Sequence, residues 1–359
     1  MPFDLDLLTQ QVRHNCDVSD ARHAGMFSIC GLALRLRDLF KWERGLDPWA
    51  EGEPAEVLDW IGAREERWEA LADSEYGPLT IDGRPIDPFD AERVNTQLLQ
   101  TGWCYGAGYA RGLKPVFFLA EVLEQSEIEA CRVLALGRER ARDLLSLPAV
   151  SQGNLILMRR DAALRALWDQ IAFATPSARR AVAAALDACG IADHRLTAVR
   201  RDLGGLPAVQ EQLHLCHELG EIHDTGFPRE LWREIVAAFP LTRVELVLRR
   251  VKDMLADTHP LGPLQYFCSV RSVAGIALYS ANLDRVARAF FPETARAVDE
   301  LLNRAEWLGL ERAIADDGES ARSHAAALMA AYAGGPVPLE AAVEQRFGAA
   351  LGRLPQDGD

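Results

Sequence analysis

The sequence predicts an α+β protein, in which a mixed N-terminal domain with a small antiparallel sheet precedes an all-α helical bundle. Two observations lead to this fold class. Between residues 79 and 159, runs rich in β-branched and aromatic residues are separated by turn signals, as is typical of strands. From Ser177 onward, nearly every segment repeats its apolar residues at helical spacing. We therefore place the domains at residues 1–172 and 173–335, with a C-terminal helix or tail over 336–359.

The N-terminal domain begins with helical patterns. Apolar residues recur at helical spacing from Met26 to Phe40, after the candidate N-cap Asp20. This spacing predicts a helix from about Asp20 to Glu43. The pattern resumes over residues 56–73, where two tryptophans and an arginine share one stripe, and it predicts a second helix there.

Strand patterns follow these helices. Asp82-Gly83, set between alternating residues, predicts a β-hairpin with a two-residue turn. Three further strands are predicted near residues 116–123, 130–136 and 153–161. We predict helices over residues 139–147 and 160–172.

The glycine-rich string Tyr105-Gly106-Ala107-Gly108-Tyr109 requires a separate interpretation. Glycines let backbone N–H groups approach an anion, but this string lacks the third glycine and the strand-then-helix context of a dinucleotide-binding fingerprint. We interpret it as a tight turn flanked by aromatic residues.

The remaining chain repeats helical patterns with short breaks between them. Helical spacing is found over residues 178–190, 207–224, 228–239 and 242–257. After the break at Pro260 to Pro263, further helices continue to about Tyr332. This succession predicts an all-α bundle.

Composition and charge limit the classes of partner. A formal net charge of −14 repels phosphate backbones, so we expect no nucleic-acid partner, although a local group of arginines can still hold a small anion. The sequence shows neither a signal-peptide pattern nor an apolar run of membrane-spanning length. Seven scattered cysteines without a C-x-x-C pair suit a reducing compartment. We expect a cytoplasmic protein without membrane contact, and a homo-oligomer stays open as an alternative.

The strongest functional signal is the stretch from His214 to Glu221. On a helix, two imidazoles and two carboxylates of this stretch fall on one stripe, namely His214, His217, Glu218 and Glu221. Imidazole and carboxylate are the groups that a first-row metal prefers, so we predict that these four residues bind a divalent iron or zinc ion. Glu218 is the candidate general base.

Two known ligand patterns match this stretch only in part. Glu211-x-x-His214 fits one half of a di-iron motif, and His217-Glu218-x-x-Glu221 resembles a zincin helix whose second histidine is replaced. The alternative is a hydrogen-bonded polar seam within the bundle. The helix over 242–257 carries arginines, Lys252 and aspartates that are close enough in sequence to pair with these acids, which is compatible with both interpretations.

A second candidate site lies near the N-terminus. His14 and Cys16 precede the predicted helix start, where a thiol can have a lowered pKa and act as a nucleophile. We predict that Cys16 and His14 are catalytic and expect them to complete a site with Glu218. The alternative is an N-cap beside a buried cysteine.

Arginines cluster at the ends of the predicted strands. The group comprises Arg138, Arg142, Arg159 and Arg160, followed by Asp161. Such guanidinium groups can bind a carboxylate or phosphate bidentately. The alternative is a set of surface ion pairs with Glu139 and Asp143.

Short motifs in the same order resemble those of an uncharacterised bacterial family of unknown function. The most specific are HNCDVSDA, which starts at His14, and HELGE, which starts at His217, and the resemblance covers roughly residues 10–300. It implies one ancestral two-part architecture and marks the positions His14, Cys16, Asp17, Asp20, His217, Glu218 and Glu221. Our leading hypothesis is a metal-dependent enzyme of unknown substrate. The alternative is a non-catalytic interaction or assembly protein with a structural polar seam.

Overall fold

The computed structural model describes residues 3–304 and 306–352. The chain divides into two compact units between Arg165 and Ala166. The predicted fold class is confirmed, because strands and helices are mixed in the first unit whereas the described part of the second unit is helical. The sequence had placed the boundary after residue 172.

The N-terminal unit combines helices with two sheets. Its helices are α1 Leu5–His23, α2 Ile29–Glu43, α3 Pro54–Leu71 and α4 Ala91–Leu98. Its strands are β1 Leu79–Ile81, β2 Arg84–Ile86, β3 Trp103–Tyr109, β4 Pro115–Ile128, β5 Cys131–Arg142, β6 Ala149–Gln152 and β7 Leu155–Arg159. Helix α5, Arg160–Ala172, begins in this unit and extends past its end.

The strands form one hairpin and one mixed sheet. β1 and β2 pair antiparallel across Asp82 and Gly83, whose φ angles of 51° and 69° suit a two-residue hairpin turn, so that prediction is confirmed. The larger sheet has the order β3-β4-β5-β7-β6. Within it only β5 and β7 run parallel, and α1 packs against β4 and β5.

The helix predicted from Asp20 to Glu43 is wrong. Residues 5–23 are already helical because Leu8, Val12 and Cys16 form a buried stripe, which the sequence pattern had not revealed. α2 then starts separately, where the side chain of Ser28 accepts a hydrogen bond from the backbone N–H of Gly31.

Two other local predictions are also wrong. The glycine-rich string is strand β3 and not a turn, since Gly106 faces Phe118 on β4 and a Cβ there would lie 2.1 Å from the Phe118 ring. The helix predicted over 139–147 is absent because residues up to Arg142 extend β5 and pair with β4.

The second unit is a helical bundle, as predicted. Its helices are α6 Arg179–Ala188, α7 Leu196–Val199, α8 Leu206–His223, α9 Arg229–Ala238, α10 Arg243–Thr258, α11 Pro263–Ser269, α12 Val273–Asn282, α13 Arg285–Phe290, α14 Pro292–Arg304, α15 Trp307–Ala333 and α16 Pro336–Leu351. A core of residues from α9, α10, α15 and α16 includes Val247, Val251, Leu328 and Leu339. Part of the predicted tail, residues 353–359, lies outside the described residues.

Helices α8 and α10 approach each other closely. A Cβ on Gly220 of α8 would lie 2.2 Å from the carbonyl oxygen of Ala256 on α10. Only glycine at position 220 therefore permits the two helices to lie this close. The short distance between α8 and α10 brings their polar side chains into direct contact.

Within the described ranges, no helix is both long and apolar enough to span a membrane.

Candidate functional site

The motif around His14 lies in the middle of α1 and serves mainly to join α1 to its unit. The side-chain amide of Asn15 exchanges two hydrogen bonds with the backbone of Gly77, at 2.9 and 2.7 Å. The hydroxyl of Ser19 donates to the carbonyl of Pro115. The carboxylate of Asp20 accepts from the backbone N–H of Leu144.

A fully buried ion pair lies beneath this part of α1. Lys114 Nζ is 2.9 Å from Asp20 Oδ1 and 3.9 Å from Asp143 Oδ1. Burial raises the pKa of Asp20 to about 7, with Lys114 acting in the opposite direction. Because removing one partner of a buried pair leaves an uncompensated charge, we interpret this group as structural.

Cys16 does not have the reactive environment that the sequence predicted. Its thiol is buried and donates to the carbonyl of Phe117 at 3.3 Å. Burial and then the neighbouring carboxylates Asp143, Asp20 and Asp17 raise its pKa well above the usual value. The environment therefore favours the neutral thiol, and a catalytic role for Cys16 stays a prediction.

His14 is separated from Cys16 by the geometry of α1. Residues two positions apart on an α-helix lie on different sides of it. The ring of His14 lies near Gly77. The predicted joint action of these two residues with Glu218 stays a prediction.

Cys16 does line a cleft of about 270 Å³ between α1, α2, α3 and β5. We call this cleft the Arg–Trp pocket after six of its lining residues, Arg13, Arg64, Arg67, Arg142, Trp42 and Trp60. Asp17 and Glu43 contribute its carboxylates. The lining therefore holds four guanidinium groups and two carboxylates, and a third carboxylate, Asp38, pairs with Arg142 from outside the lining.

Asp17 organises one side of the Arg–Trp pocket. Its Oδ1 accepts from Arg64 Nη1 at 2.6 Å, and its Oδ2 lies 2.6 Å from Arg67 Nε. Arg64 also donates to Glu43 through Nη2 at 2.9 Å. Glu43 in turn accepts from the indole N–H of Trp60 at 2.6 Å. This chain of bonds holds the Arg64 guanidinium in place.

The two indole rings lie against arginines. Arg13 and Arg142 lie over the ring of Trp42, with 5.6 and 5.5 Å from guanidinium carbon to ring centroid. Arg64 lies over Trp60 at 4.7 Å. Arg142 is buried, and it pairs with Asp38 at 2.6 Å. The pocket therefore combines flat apolar walls with fixed positive charge.

The predicted stretch around His217 is helical, as α8. His217 Nδ1 lies 2.7 Å from Asp257 Oδ1 on α10, and the hydroxyl of Tyr279 on α12 donates to Asp257 Oδ2 at 3.0 Å. Burial alone would lower the pKa of His217, but the carboxylate of Asp257 outweighs it and raises that pKa to about 10. His217 is therefore an imidazolium at neutral pH.

Glu221 is paired with the next helix. Lys252 Nζ donates to Glu221 Oε1 at 2.5 Å and also lies 4.2 Å from the centroid of the Trp232 ring. Burial would raise the pKa of Glu221, but Lys252 and His217 lower it. This is one of the ion pairs that the sequence spacing allowed between the two helices. We define the polar seam as His217, Asp257, Tyr279, Glu221 and Lys252.

The other two predicted ligands, His214 and Glu218, lie on the same helix. Glu218 is buried, with 8 % of its surface exposed. His214 Nε2 is buried and has no hydrogen-bond partner among the described residues. Burial, followed by the charge of His217, lowers the pKa of His214 to about 4, so this imidazole is neutral.

Two of the four predicted ligands on α8 are engaged by other side chains in this structure. His217 is protonated, and its Nε2 is 4.0 Å from Glu221 Oε2, whose partner oxygen is bonded to Lys252. Over residues 3–304 and 306–352, no group of three or more histidine, cysteine, aspartate or glutamate side chains is placed to hold a metal. The predicted metal assignment of His214, His217, Glu218 and Glu221 stays a prediction.

Sequence reasoning missed several residues that build these sites. On α3, Trp60 and Arg64 were seen as one stripe, but nothing indicated that Asp17 would bind this arginine. The contact of Tyr279 with Asp257 had no signal in the sequence, because it joins positions 22 residues apart on different helices.

Two family models match the chain. The N-terminal domain of a family of unknown function (DUF6866) matches residues 7–159, and the C-terminal domain of the same family matches residues 164–350. The chain therefore belongs to this family, and the predicted resemblance to a family of unknown function is confirmed. No curated protein and no solved structure matches the chain.

Proposed function

We propose that this protein binds a small anionic molecule in the Arg–Trp pocket. The observation that carries the proposal is the convergence of four arginines on one cleft, in a chain whose formal net charge is −14. Like charges repel at short range, so such a group is stable only with counter-charge. Asp17 and Glu43, together with Asp38 on Arg142, supply part of it, and a bound carboxylate or phosphate would supply the rest.

The pocket is organised before any ligand arrives. Arg64 is fixed by bonds to two carboxylates, and Arg67 is oriented through its Nε. Preorganised guanidinium groups lose little side-chain entropy when an anion binds. Arg67 is 55 % exposed, which makes it accessible to an entering ligand.

The tryptophans favour a ligand with a flat or apolar part beside its anionic group. Trp42 and Trp60 line the same cleft as the arginines, and both are partly exposed. A few polar groups set into apolar walls are typical of small-molecule sites. We therefore expect an aromatic carboxylate to bind better than inorganic phosphate.

Isothermal titration calorimetry with benzoate and inorganic phosphate tests this proposal. Arg67→Gln removes one pocket charge and should weaken the binding of both anions roughly 10- to 100-fold, since a hydrogen bond to a charged group contributes roughly 1.5–3 kcal/mol. Arg93→Gln is the matched control, because Arg93 is an exposed arginine on α4 of the same unit and does not line the pocket. The proposal is wrong if the affinity of each anion is the same for the wild type and for Arg67→Gln, or if neither anion binds.

We further propose that the polar seam is structural, in keeping with a non-catalytic protein. The observation favouring this second proposal is that charged groups of opposite sign are matched directly, His217 with Asp257 and Lys252 with Glu221. To bind to these residues, a metal ion would have to displace the proton of the His217 imidazolium and the Lys252 ammonium group from Glu221. The competing hypothesis stays the metal-dependent enzyme, using iron or zinc.

Elemental analysis separates these two proposals for α8. Protein purified without chelator, with and without oxygen, should contain no stoichiometric iron or zinc if the seam is structural. His217→Ala should then lower thermal stability without changing metal content. Near-stoichiometric iron or zinc that is lost in His217→Ala would instead support the metal-dependent enzyme.

A further inference from the structure

A second cleft, of about 370 Å³, lies beside the Arg–Trp pocket between α1 and β5. We call it the α1–β5 cleft. Its lining residues are Asp6, Thr9, Gln10 and Arg13 on α1, and Arg138, Glu139 and Arg140 on β5. Arg13 lines both cavities.

The two cavities follow one another along the same two elements. Residues 6, 9, 10 and 13 form one stripe of α1, and residues 13, 16 and 17 continue that stripe into the Arg–Trp pocket. On β5, residues 138–140 line the cleft and Arg142 lines the pocket. The helix and the strand therefore run in the same direction past both cavities.

Both elements give a similar separation between the cavities. The lining positions on α1 are centred about six residues apart, which corresponds to roughly 9 Å at the helical rise. On β5, the step from residue 139 to residue 142 corresponds to roughly 10 Å at the strand rise. A ligand of that length would reach from one cavity into the other past Arg13.

The α1–β5 cleft has its own arginine available for an anion. The side chain of Arg138 is exposed and makes no hydrogen bond or ion pair within the described ranges. It lies at an irregularity of the β4–β5 ladder, where Ala120 pairs with Glu139 but Val122 pairs with Leu136. Such bulges redirect a side chain out of the regular alternation.

The carboxylates of the cleft are already paired. Glu139 is buried and accepts from Arg159 at 2.6 Å, and Asp6 accepts from Arg140 at 2.6 Å. Arg13 donates to the carbonyl of Arg140 through Nε, at 2.9 Å. Arg13 and Arg138 are therefore the cations of the cleft that no carboxylate within the described ranges neutralises.

We propose that the ligand is an elongated molecule with an anionic group at each end, one end in the Arg–Trp pocket and the other beside Arg138. This proposal rests on the proposed anion binding and adds a second subsite to it. Arg13, between the two subsites, contacts the middle of the ligand. Two linked anionic groups bind more tightly than one because the second contact becomes intramolecular.

Calorimetry with one-ended and two-ended probes tests the second subsite. Octanoate carries one carboxylate, and suberate carries a second one on a chain of the same length. We expect suberate to bind the wild type at least tenfold more tightly than octanoate does. Hexane-1,6-bisphosphonate and hexylphosphonate form the parallel pair, and the preferred pair identifies the anionic group.

Three variants assign the effect to its subsite. Arg138→Gln should abolish the advantage of the two-ended probes and leave the one-ended probes unchanged. Arg67→Gln should weaken both kinds of probe, and Arg93→Gln should weaken neither. The two-ended ligand is refuted if two-ended and one-ended probes bind the wild type equally, or if Arg138→Gln leaves the advantage intact. If no anion binds, the proposed anion-binding function is also wrong.

Discussion

Replacing Asp257 with asparagine should change how stability depends on pH. The pKa of His217 is about 10 in the folded protein, mainly because the Asp257 carboxylate outweighs the effect of burial, against about 6.5 in an unfolded chain. The protonated imidazole therefore stabilises the folded state fully below pH 6.5. This contribution is lost as the pH rises from 6.5 to 10.

The size of the effect follows from this linkage. Between the two pKa values the folded state holds up to one proton more than the unfolded state, so stability falls by as much as about 1.4 kcal/mol per pH unit. Over pH 7 to 9 this amounts to about 2.5 kcal/mol. Because 25 % of the His217 side chain is exposed, solvent screening reduces the expected loss to about 2 kcal/mol.

Urea unfolding at pH 7 and pH 9, followed by circular dichroism, measures this loss. In Asp257→Asn the decrease assigned to His217 should disappear, because the neutral amide no longer favours the imidazolium. Asp299→Asn is the control, because it removes an exposed carboxylate of α14 in the same unit. This variant should lose as much stability between pH 7 and pH 9 as the wild type does. An unchanged pH dependence in Asp257→Asn would refute the assignment of charge to this pair.

Two further predictions follow from packing and burial. Gly220→Ala places a Cβ 2.2 Å from the backbone oxygen of Ala256 and should cost roughly 1–3 kcal/mol in urea unfolding, whereas Gly309→Ala, with no atom within 4 Å, should stabilise by roughly 0.5–1 kcal/mol. Equal effects of the two substitutions would contradict the close helix contact. Iodoacetamide at pH 8 should label the exposed Cys30 before the buried Cys16, as read by mass spectrometry. Faster labelling of Cys16 would instead support its predicted nucleophilic role.

The fold class was predictable because it depends on periodicity. The bundle helices and the Asp82-Gly83 hairpin each carry a local signal that the structure confirms. Local patterns failed where a distant partner decided the conformation. Gly106 belongs to a strand because the ring of Phe118 occupies the space of its missing side chain, and no spacing rule reveals that partner.

The sequence indicated some residues of the candidate sites but not the side chains to which they bond. The sequence identified His217 and Glu221 as a polar stripe, and α8 places them there. Their partners, Asp257 and Lys252, come from α10, so the charge of His217 depends on contacts formed only in the folded unit.

The N-terminal motif shows the same limit. The family resemblance marks Asp17, but it does not reveal that Asp17 binds two arginines of α3. Lysine is rare in the chain, and nothing in the sequence indicates that all three copies, Lys41, Lys114 and Lys252, are buried. Arginine therefore supplies the exposed positive charge, including that of the Arg–Trp pocket.

The most direct test of anion binding is to locate a bound anion. Crystals grown without sulfate or phosphate and soaked in selenate would be measured at the selenium absorption edge. We expect an anomalous peak beside Arg64 and Arg67 that is absent from crystals of Arg67→Gln. Selenate peaks only at other surfaces, or a pocket peak that persists in Arg67→Gln, would show that the Arg–Trp pocket does not bind anions in this way.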